Sequence, residues 1–308
     1  VNQVLAKQVD SLLSAGWSGG RTPRACIFGL GLIGGSLAGA LFNRGWHVSA
    51  VEQDPESLKQ ALGCGWIQEG WTEVPLEIDV DLVIVALPLH RMNDSLDCLM
   101  GRLKSGCIVT DVGSIKTEIC FKSFGFAQRG IYFIGGHPMA GSEKSGFMAA
   151  DSELFRGYPY VLTPEEDCPK QVVDKLTELI LSIGAKVILR QAPKHDREVA
   201  MISHIPHMLA VALTLAAQDV SEQGLSALQL AGRSFRDLTR IADSSPVMWQ
   251  EILVKNGPAI LEGLTYWQKR IDELEEYVRN GDREGITMAF NQARSVRESL
   301  FKKDVAEN

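Results

Sequence analysis

The six cysteines, Cys26, Cys64, Cys98, Cys107, Cys120 and Cys168, include no C-x-x-C pair and no zinc-site spacing. That removes dithiol redox motifs and structural zinc modules from consideration. Several of them sit in apolar runs, where a free thiol behaves as a small hydrophobe. A reducing, cytoplasmic compartment is therefore expected. Positive charge is scarce as well, with 31 Lys and Arg against 38 Asp and Glu and a formal net charge of −7. A nucleic acid needs a basic face, so it is not expected as the partner. A local Arg can still hold an anionic small molecule. One long hydrophobic run occurs, residues 25–42, behind Arg21 and Arg24, and its length alone would suit a membrane span or a signal segment. Five glycines interrupt it, at positions 29, 31, 34, 35 and 39. They fall where a strand, a turn and a helix need them, so no membrane partner is expected. With 45% hydrophobic and 22% charged residues, the chain of 308 has the composition of a globular protein with room for two cores.

No strand-like run occurs after residue 193, and this divides the chain. Residues 1–23 read as a leader: a short amphipathic helix over 2–14, then a glycine-rich linker over 16–23. This leader either packs on the adjoining domain or joins a fused or associated one. From 24 to 192, short apolar runs alternate with helical stretches. Strands are expected at 24–29, 47–52, 81–86, 107–111, 132–135, 160–162 and 186–189, with helices at 34–44 and 55–62. This is the α/β pattern of an N-terminal Rossmann-type, doubly wound parallel sheet. From 193 to 308, segments 195–220, 224–240, 248–280 and 283–303 carry helical periodicity. They predict an all-helical C-terminal domain whose long apolar faces dimerise.

Gly29-Leu30-Gly31-Leu32-Ile33-Gly34 is G-x-G-x-x-G, placed after an apolar strand and opening a helix. Gly29 permits a tight turn, Gly31 lets the backbone approach a pyrophosphate, and Gly34 lets helix and strand pack closely. Leu32 and Ile33 begin the helix, whose free N–H groups and positive dipole end suit phosphates. Glu52 closes the second strand 18 positions after Gly34, close to the spacing of a ribose-binding acid. A carboxylate there accepts from the ribose hydroxyls and repels a 2′-phosphate. With no Arg or Lys from Val48 to Ser57, the cofactor is expected to be NAD. Asp54 is the alternative acid.

The chemical residues cluster in four places. Asp111-Val112-Gly113-Ser114-Ile115-Lys116 comes directly after a strand, which puts Ser114 beside the cofactor crevice. Gly135-Gly136-His137-Pro138 comes after another, and a histidine at that edge suits proton transfer near neutrality. His195-Asp196 and Ser203-His204-Ile205-Pro206-His207 open the helical half. His204 and His207 have the spacing of a metal pair, but neither an E-x-x-H carboxylate nor a cysteine accompanies them and Pro206 intervenes, so no metal is expected. Arg236, Asp237 and Arg240 share one helix face. They read either as a surface ion-pair lattice or as a carboxylate clamp.

Taken in order, GLGLIGGSLA at 29–38, TDVGSIK at 110–116, GGHPMAGSEKSG at 135–146, HD at 195–196, SHIPH at 203–207, and SFRDLTR with PVMW within 234–249 resemble the prephenate/arogenate (cyclohexadienyl) dehydrogenase family. The resemblance runs from residue 24 to about 290. It implies NAD-dependent oxidative decarboxylation of prephenate to 4-hydroxyphenylpyruvate in tyrosine biosynthesis, or the same reaction on arogenate or on both. It implies that His137 accepts the C4 hydroxyl proton as hydride leaves, and that Ser114 holds that hydroxyl and His137. His207 would contact the substrate with His204 nearby, and Arg240 would bind a carboxylate, oriented by Asp196. Asp243, ahead of Pro246, is an acid that would favour an amino group on the substrate. Two other readings stay open. A 3-hydroxyacid or imine reductase usually places a Lys on its first long C-terminal helix, and 201–220 contains none. A non-catalytic nucleotide-binding dimer has no use for Ser114, His137 and Arg240 together.

Overall fold

The structure is a computed structural model that describes residues 17, 20–141 and 144–301. The helix expected over 2–14 lies outside the described residues. Contact density divides the chain into two compact units, one ending at Gly257 and one beginning at Pro258.

The first unit is built on an eight-stranded sheet: β1 (Arg24–Phe28), β2 (His47–Val51), β3 (Glu69–Trp71), β4 (Leu82–Val85), β5 (Ile108–Asp111), β6 (Tyr132–Pro138), β7 (Pro159–Pro164) and β8 (Lys186–Leu189), in the order β3-β2-β1-β4-β5-β6-β7-β8. Strand residues alternate between the two faces, and both faces are apolar. Ala25, Ile27, Val48, Ala50, Leu82 and Ile84 join one core with Leu37 and Leu41 of α1 (Leu32–Phe42), Leu58 of α2 (Pro55–Gly63), and Leu176 and Leu179 of α6 (Lys170–Ser182). Cys26, Phe28, Val83, Val85 and Val109 join the other with Met92, Leu96 and Leu99 of α3 (Leu89–Leu99) and Ile119 of α4 (Thr117–Lys122). A short helix, α5 (Phe124–Ala127), precedes β6. The chain is thus doubly wound, and its strand order reverses between β1 and β4, where such sheets bind nucleotides. Burial pushes the thiols of Cys26 and Cys107 up to about 12, which makes them packing groups rather than nucleophiles.

The expected strands are present, and β3 is an addition. One strand departs from the parallel pattern: β7 runs antiparallel to β6, with Gly136 opposite Leu162 and His137 opposite Val161. A parallel partner requires a crossover across the sheet. Between Pro138 and Pro159 the described residues supply only a 3₁₀ turn, Phe147–Ala149, so the chain doubles back. The helix α6 restores a crossover, and β8 is parallel to β7.

Beyond β8 the first unit is helical. It comprises α7 (Ala192–Val199), a π-helical turn (Ala200–His204), α8 (Ile205–Val220), α9 (Arg233–Thr239) and α10 (Pro246–Lys255). The stretch from Ala192 to Gln223 is long and apolar enough to cross a membrane. It also carries His195, Asp196 and His204, all buried and all hydrogen-bonded to other protein groups. The helix expected over 224–240 is interrupted, because Ser226 adopts a left-handed φ of 47° and Gly232 starts α9 afresh. The helix expected over 248–280 breaks at Asn256, whose backbone leaves the helical region and whose side chain turns into the protein.

The second unit consists of α12 (Arg283–Phe301) and all of α11 (Gly257–Asn280) except its first residue, joined through Gly281 at φ 63°. Leu261, Val278, Met288, Phe290 and Leu300 are exposed.

Candidate active site at the carboxyl edge of the sheet

The turn from β1 to α1 is shaped by what its glycines exclude. Gly29 sits at φ 94°, and a Cβ there would lie 2.4 Å from the Ala86 carbonyl oxygen. A Cβ on Gly34 would lie 2.0 Å from the Gly29 oxygen, so the helix rides directly on the turn. At Gly31 nothing stands within 4 Å, which leaves its outer side open. Helix α1 begins at Leu32 with no side-chain cap, so the first-turn N–H groups of Leu32 and Ile33 have no side-chain acceptor. An open glycine, an uncapped helix start and a nearby acid fit the pyrophosphate and ribose of a dinucleotide.

That acid is Glu52. Its Oε2 accepts the Leu30 N–H at 2.7 Å and its Oε1 the Asp54 N–H at 2.8 Å, so the carboxylate is anchored against the glycine turn. Asp54 has a different task. It caps α2 by accepting from the Ser57 hydroxyl and from the N–H groups of Ser57 and Glu56, and these bonds hold its carboxyl below the usual range. The stretch 48–57 lacks a basic residue in sequence but meets one in space: Arg91 of α3 donates to Gln53 Oε1 at 2.7 Å.

Asp111, at the end of β5, is fully buried with Lys116, and the two form an ion pair. Asp111 Oδ2 also accepts the Gly113 N–H at 2.8 Å, and Oδ1 accepts the Gly136 N–H at 3.1 Å. One carboxylate thus ties the 111–116 loop to β6, one residue before His137. A Cβ on Gly136 would lie 2.5 Å from the Asp111 carbonyl oxygen, so that residue must be small. The pair lies inside the motif that singled out Ser114, and sequence reading passed over it. An Asp and a Lys five apart in a small, apolar stretch were the available signal.

His137 is 9% exposed and packs edge-on to His195, with ring centroids 5.1 Å apart. His137 Nδ1 lies 2.8 Å from His195 Nε2, and His195 Nδ1 lies 2.8 Å from Asp196 Oδ1. Asp196 also accepts the N–H of Lys116 at 2.8 Å and of Thr117 at 2.9 Å. Burial pushes the Asp196 carboxyl up, but the bonds from His195, Thr117 and Lys116 prevail and bring it below its ordinary value. His137 is held well below 6.5, first by burial and then by the positive charge that His195, Lys116 and His204 can carry. Two expectations are corrected here. Asp196 makes no contact with Arg240; its oxygens accept instead from His195 and two backbone N–H groups. Ser114 is half-buried but makes no side-chain hydrogen bond to His137. His195 was singled out in sequence without a role, since nothing in the dipeptide His195-Asp196 says that its ring spans two functional groups.

His204, 1% exposed, meets the Asn256 amide at 3.0 Å, and the same amide donates to the Asp196 carbonyl oxygen at 2.9 Å. Burial is the main reason that His204 falls to about 4, although the charge of Asp196 opposes it. His207 stacks on Trp249 at 3.8 Å between ring centroids, with its Nδ1 on the Ser203 carbonyl oxygen at 2.9 Å. Burial lowers its pKa as well. The Trp249 Nε1 is buried without an acceptor. Helix α10, which carries Trp249, is fastened to the sheet layer by Glu251 with His90 at 2.5 Å and by Lys255 with Glu118 at 2.6 Å. Arg240 is exposed and has no side-chain partner among the described residues, in a turn that packs on α8, the helix carrying His207. Asp237 pairs with Arg233 at 3.4 Å instead, and Asp243 is exposed. Among the described residues no cluster of three potential metal ligands occurs.

A family model described as the nucleotide-binding domain of prephenate dehydrogenase matches residues 37–189, and one described as its dimerization domain matches 191–292. The chain is 34% identical over 277 residues to a prephenate dehydrogenase of Lactococcus lactis, an alignment covering 89% of this chain and 76% of that one. The structure superposes on prephenate dehydrogenase from A. aeolicus in complex with hydroxyphenyl propionate and NAD+. There the TM-score is 0.84 at 28% identity, over 91% of this chain and 99% of that one. It is also similar to Synechocystis arogenate dehydrogenase, with a TM-score of 0.80 and 30% identity over 90% and 99% of the two chains.

The depressed histidines make stability depend on pH. A histidine whose pKa falls from 6.5 unfolded to about 4 folded binds its proton more readily in the unfolded chain. Its contribution is intact above pH 6.5 and is lost progressively as pH falls toward 4. For His204 the loss at pH 5 relative to pH 8 is on the order of 2 kcal/mol. His137 adds to it with the same sign. Urea midpoints measured between pH 8 and pH 5 should fall accordingly, and His204→Gln should flatten the slope.

Proposed function

Because the chain belongs to the prephenate dehydrogenase family, we propose that it oxidises prephenate to 4-hydroxyphenylpyruvate with His137 as the proton acceptor. It is an NAD-dependent dehydrogenase with a Rossmann-type domain and a helical C-terminal region. The observation that carries the mechanistic reading is the buried His137 ring at the carboxyl end of β6, hydrogen-bonded among the described residues on one nitrogen only. NAD, held at Gly29, Gly31, Leu32, Ile33, Gly34 and Glu52, supplies the hydride acceptor. His137 takes the C4 hydroxyl proton as the C4 hydrogen leaves as hydride. The ring carboxylate then departs as CO₂, its bonding electrons complete the aromatic ring, and the phenolate oxygen takes a proton back. Ser114, on the loop anchored by Asp111, hydrogen-bonds the same hydroxyl.

The rest of the substrate falls to the helical residues. His207, His204 and Trp249 form an aromatic, largely neutral wall. Arg240, without a partner among the described residues and next to α8, clamps a carboxylate. The names of the L. lactis and A. aeolicus proteins favour prephenate over arogenate. We also propose a homodimer, supported by the dimerization-domain match and by the exposed apolar residues Ile202, Val211, Leu213 and Leu215 of the 192–223 stretch.

Rates of NAD reduction with prephenate and with arogenate test the substrate. Prephenate should give the higher kcat/KM, and the reverse order would make this an arogenate enzyme. His137→Asn should lower kcat by about 10²–10⁴-fold while the NAD dissociation constant holds. Near-normal turnover would remove His137 as the base. Arg240→Gln should raise the substrate KM more than tenfold with a smaller change in kcat, since a two-bond charge-assisted clamp contributes about 1.5–3 kcal/mol per bond. An unchanged KM would return Arg240 to the surface. Light scattering at micromolar concentration should give twice the chain mass.

A further inference from the structure

The polar chain behind His137 fixes where its proton sits. Asp196 receives three donors, the ring N–H of His195 and the N–H groups of Lys116 and Thr117. A carboxylate so surrounded is ionised and can only accept. His195 must therefore carry its hydrogen on Nδ1. A neutral His195 then has a lone pair on Nε2, 2.8 Å from His137 Nδ1. That contact is a hydrogen bond only if His137 donates from Nδ1. A neutral His137 has one hydrogen, so its Nε2 is bare.

We propose that His195 and Asp196 are positioning residues that hold His137 in its Nδ1-protonated tautomer and so present the Nε2 lone pair to the substrate hydroxyl. The proposal rests on the assignment of His137 as proton acceptor. Neutral histidine in water favours the opposite tautomer, with hydrogen on Nε2, which would face the hydroxyl with a donor and disable the base. The geometry leaves Nε2 uncommitted: among the described residues the one hydrogen bond of the His137 ring is made by Nδ1. The ionisable groups around His137 agree with this pattern. Lys116, from the loop after β5, has its ammonium on Asp111, and His204, from the turn before α8, has its Nδ1 on Asn256. Burial above all keeps His137 neutral, as the tautomer argument requires. After proton transfer the Nδ1–H of the His137 cation still points at His195 Nε2, with the Asp196 carboxylate one ring away.

The test reads the tautomer directly. In protein labelled with ¹⁵N-histidine, long-range ¹H–¹⁵N correlation at pH 7.5 distinguishes protonated from bare ring nitrogens, and His137→Asn identifies the His137 signals. The intact protein should show His137 protonated on Nδ1. In His195→Leu the ring loses its acceptor and should move to the Nε2-protonated form, with kcat down about 10²–10⁴-fold. The substrate KM and the NAD dissociation constant should stay within about threefold, because His195 touches neither. A wrong-tautomer defect in a catalytic triad has a comparable magnitude. In His195→Gln the amide oxygen can accept from Nδ1–H, so the Nδ1 tautomer and most of kcat should return. A His137 protonated on Nε2 in the intact protein overturns the proposal, as does a His195→Leu variant that keeps the Nδ1 tautomer or turns over within threefold of normal. Failure of His137 as the base is a separate result. It would show as normal turnover in His137→Asn and leave the tautomer spectrum unchanged.

Discussion

The Asp196 carboxylate is the point on which the site depends. It accepts from a ring on its own helix and from two backbone N–H groups at the start of another, while its carbonyl oxygen takes the Asn256 amide. Through those bonds the sheet edge, α7 and the end of α10 share one anchor. Burying a charge is costly unless donors replace the water it gives up. Here three donors do so, and two of them are backbone groups that cannot rotate away. The cost of desolvation is thereby offset by bonds whose geometry also sets the direction of the His195 ring.

A second buried carboxylate complements the first. Asp111 pairs with Lys116 and accepts from Gly113 and Gly136, so the loop carrying Ser114 and the strand carrying His137 are held to the same group. The backbone N–H of Lys116 goes to Asp196 while its ammonium goes to Asp111, which makes that residue the link between the two anchors. Such a pair is poor evidence of net stability, because an apolar replacement of equal volume often does as well. What it does contribute is registration. The 111–116 loop and β6 are held in a fixed relation by those shared bonds, and catalytic geometry needs such close placement.

The Rossmann half was legible because its signals are local. Apolar runs of four or five residues mark β1, β2, β4 and β5, and three glycines mark the turn into α1. Glu52 stands where the spacing puts an acid, and the structure separates it from Asp54 by giving Asp54 a helix cap to make. The antiparallel β7 was not legible, since orientation depends on the connection and not on the strand. Nor were the breaks at Ser226 and Asn256. The first depends on a left-handed residue that sequence rarely announces, and the second on a side chain drawn to His204 and to the Asp196 backbone 60 residues away in sequence. Within the site, the motifs pointed to His137, Ser114 and Asp196 one by one. Their relations were hidden because hydrogen bonds between residues 58 and 80 positions apart leave no trace in spacing. The resemblance that paired Asp196 with Arg240 supplied a partner for an acid whose true donors lie in α7 and at the start of α4.

On the proposed role of His137 as proton acceptor, its depressed basicity becomes intelligible in terms of the chemistry. A base must be unprotonated before the substrate arrives, and burial beside other potential cations secures that across the neutral range. The same burial makes the ring a weaker proton acceptor, which would hinder a reaction needing a free alkoxide. Hydride departure and decarboxylation ask for less. As the C4 hydrogen leaves with its electrons, the hydroxyl becomes that of a protonated ketone and sheds its proton easily, and loss of CO₂ carries the ring to an aromatic product. A modest base with a fixed lone pair is sufficient for that demand. On that proposal, precision of direction, supplied by the chain from Asp196 through His195, matters more than proton affinity.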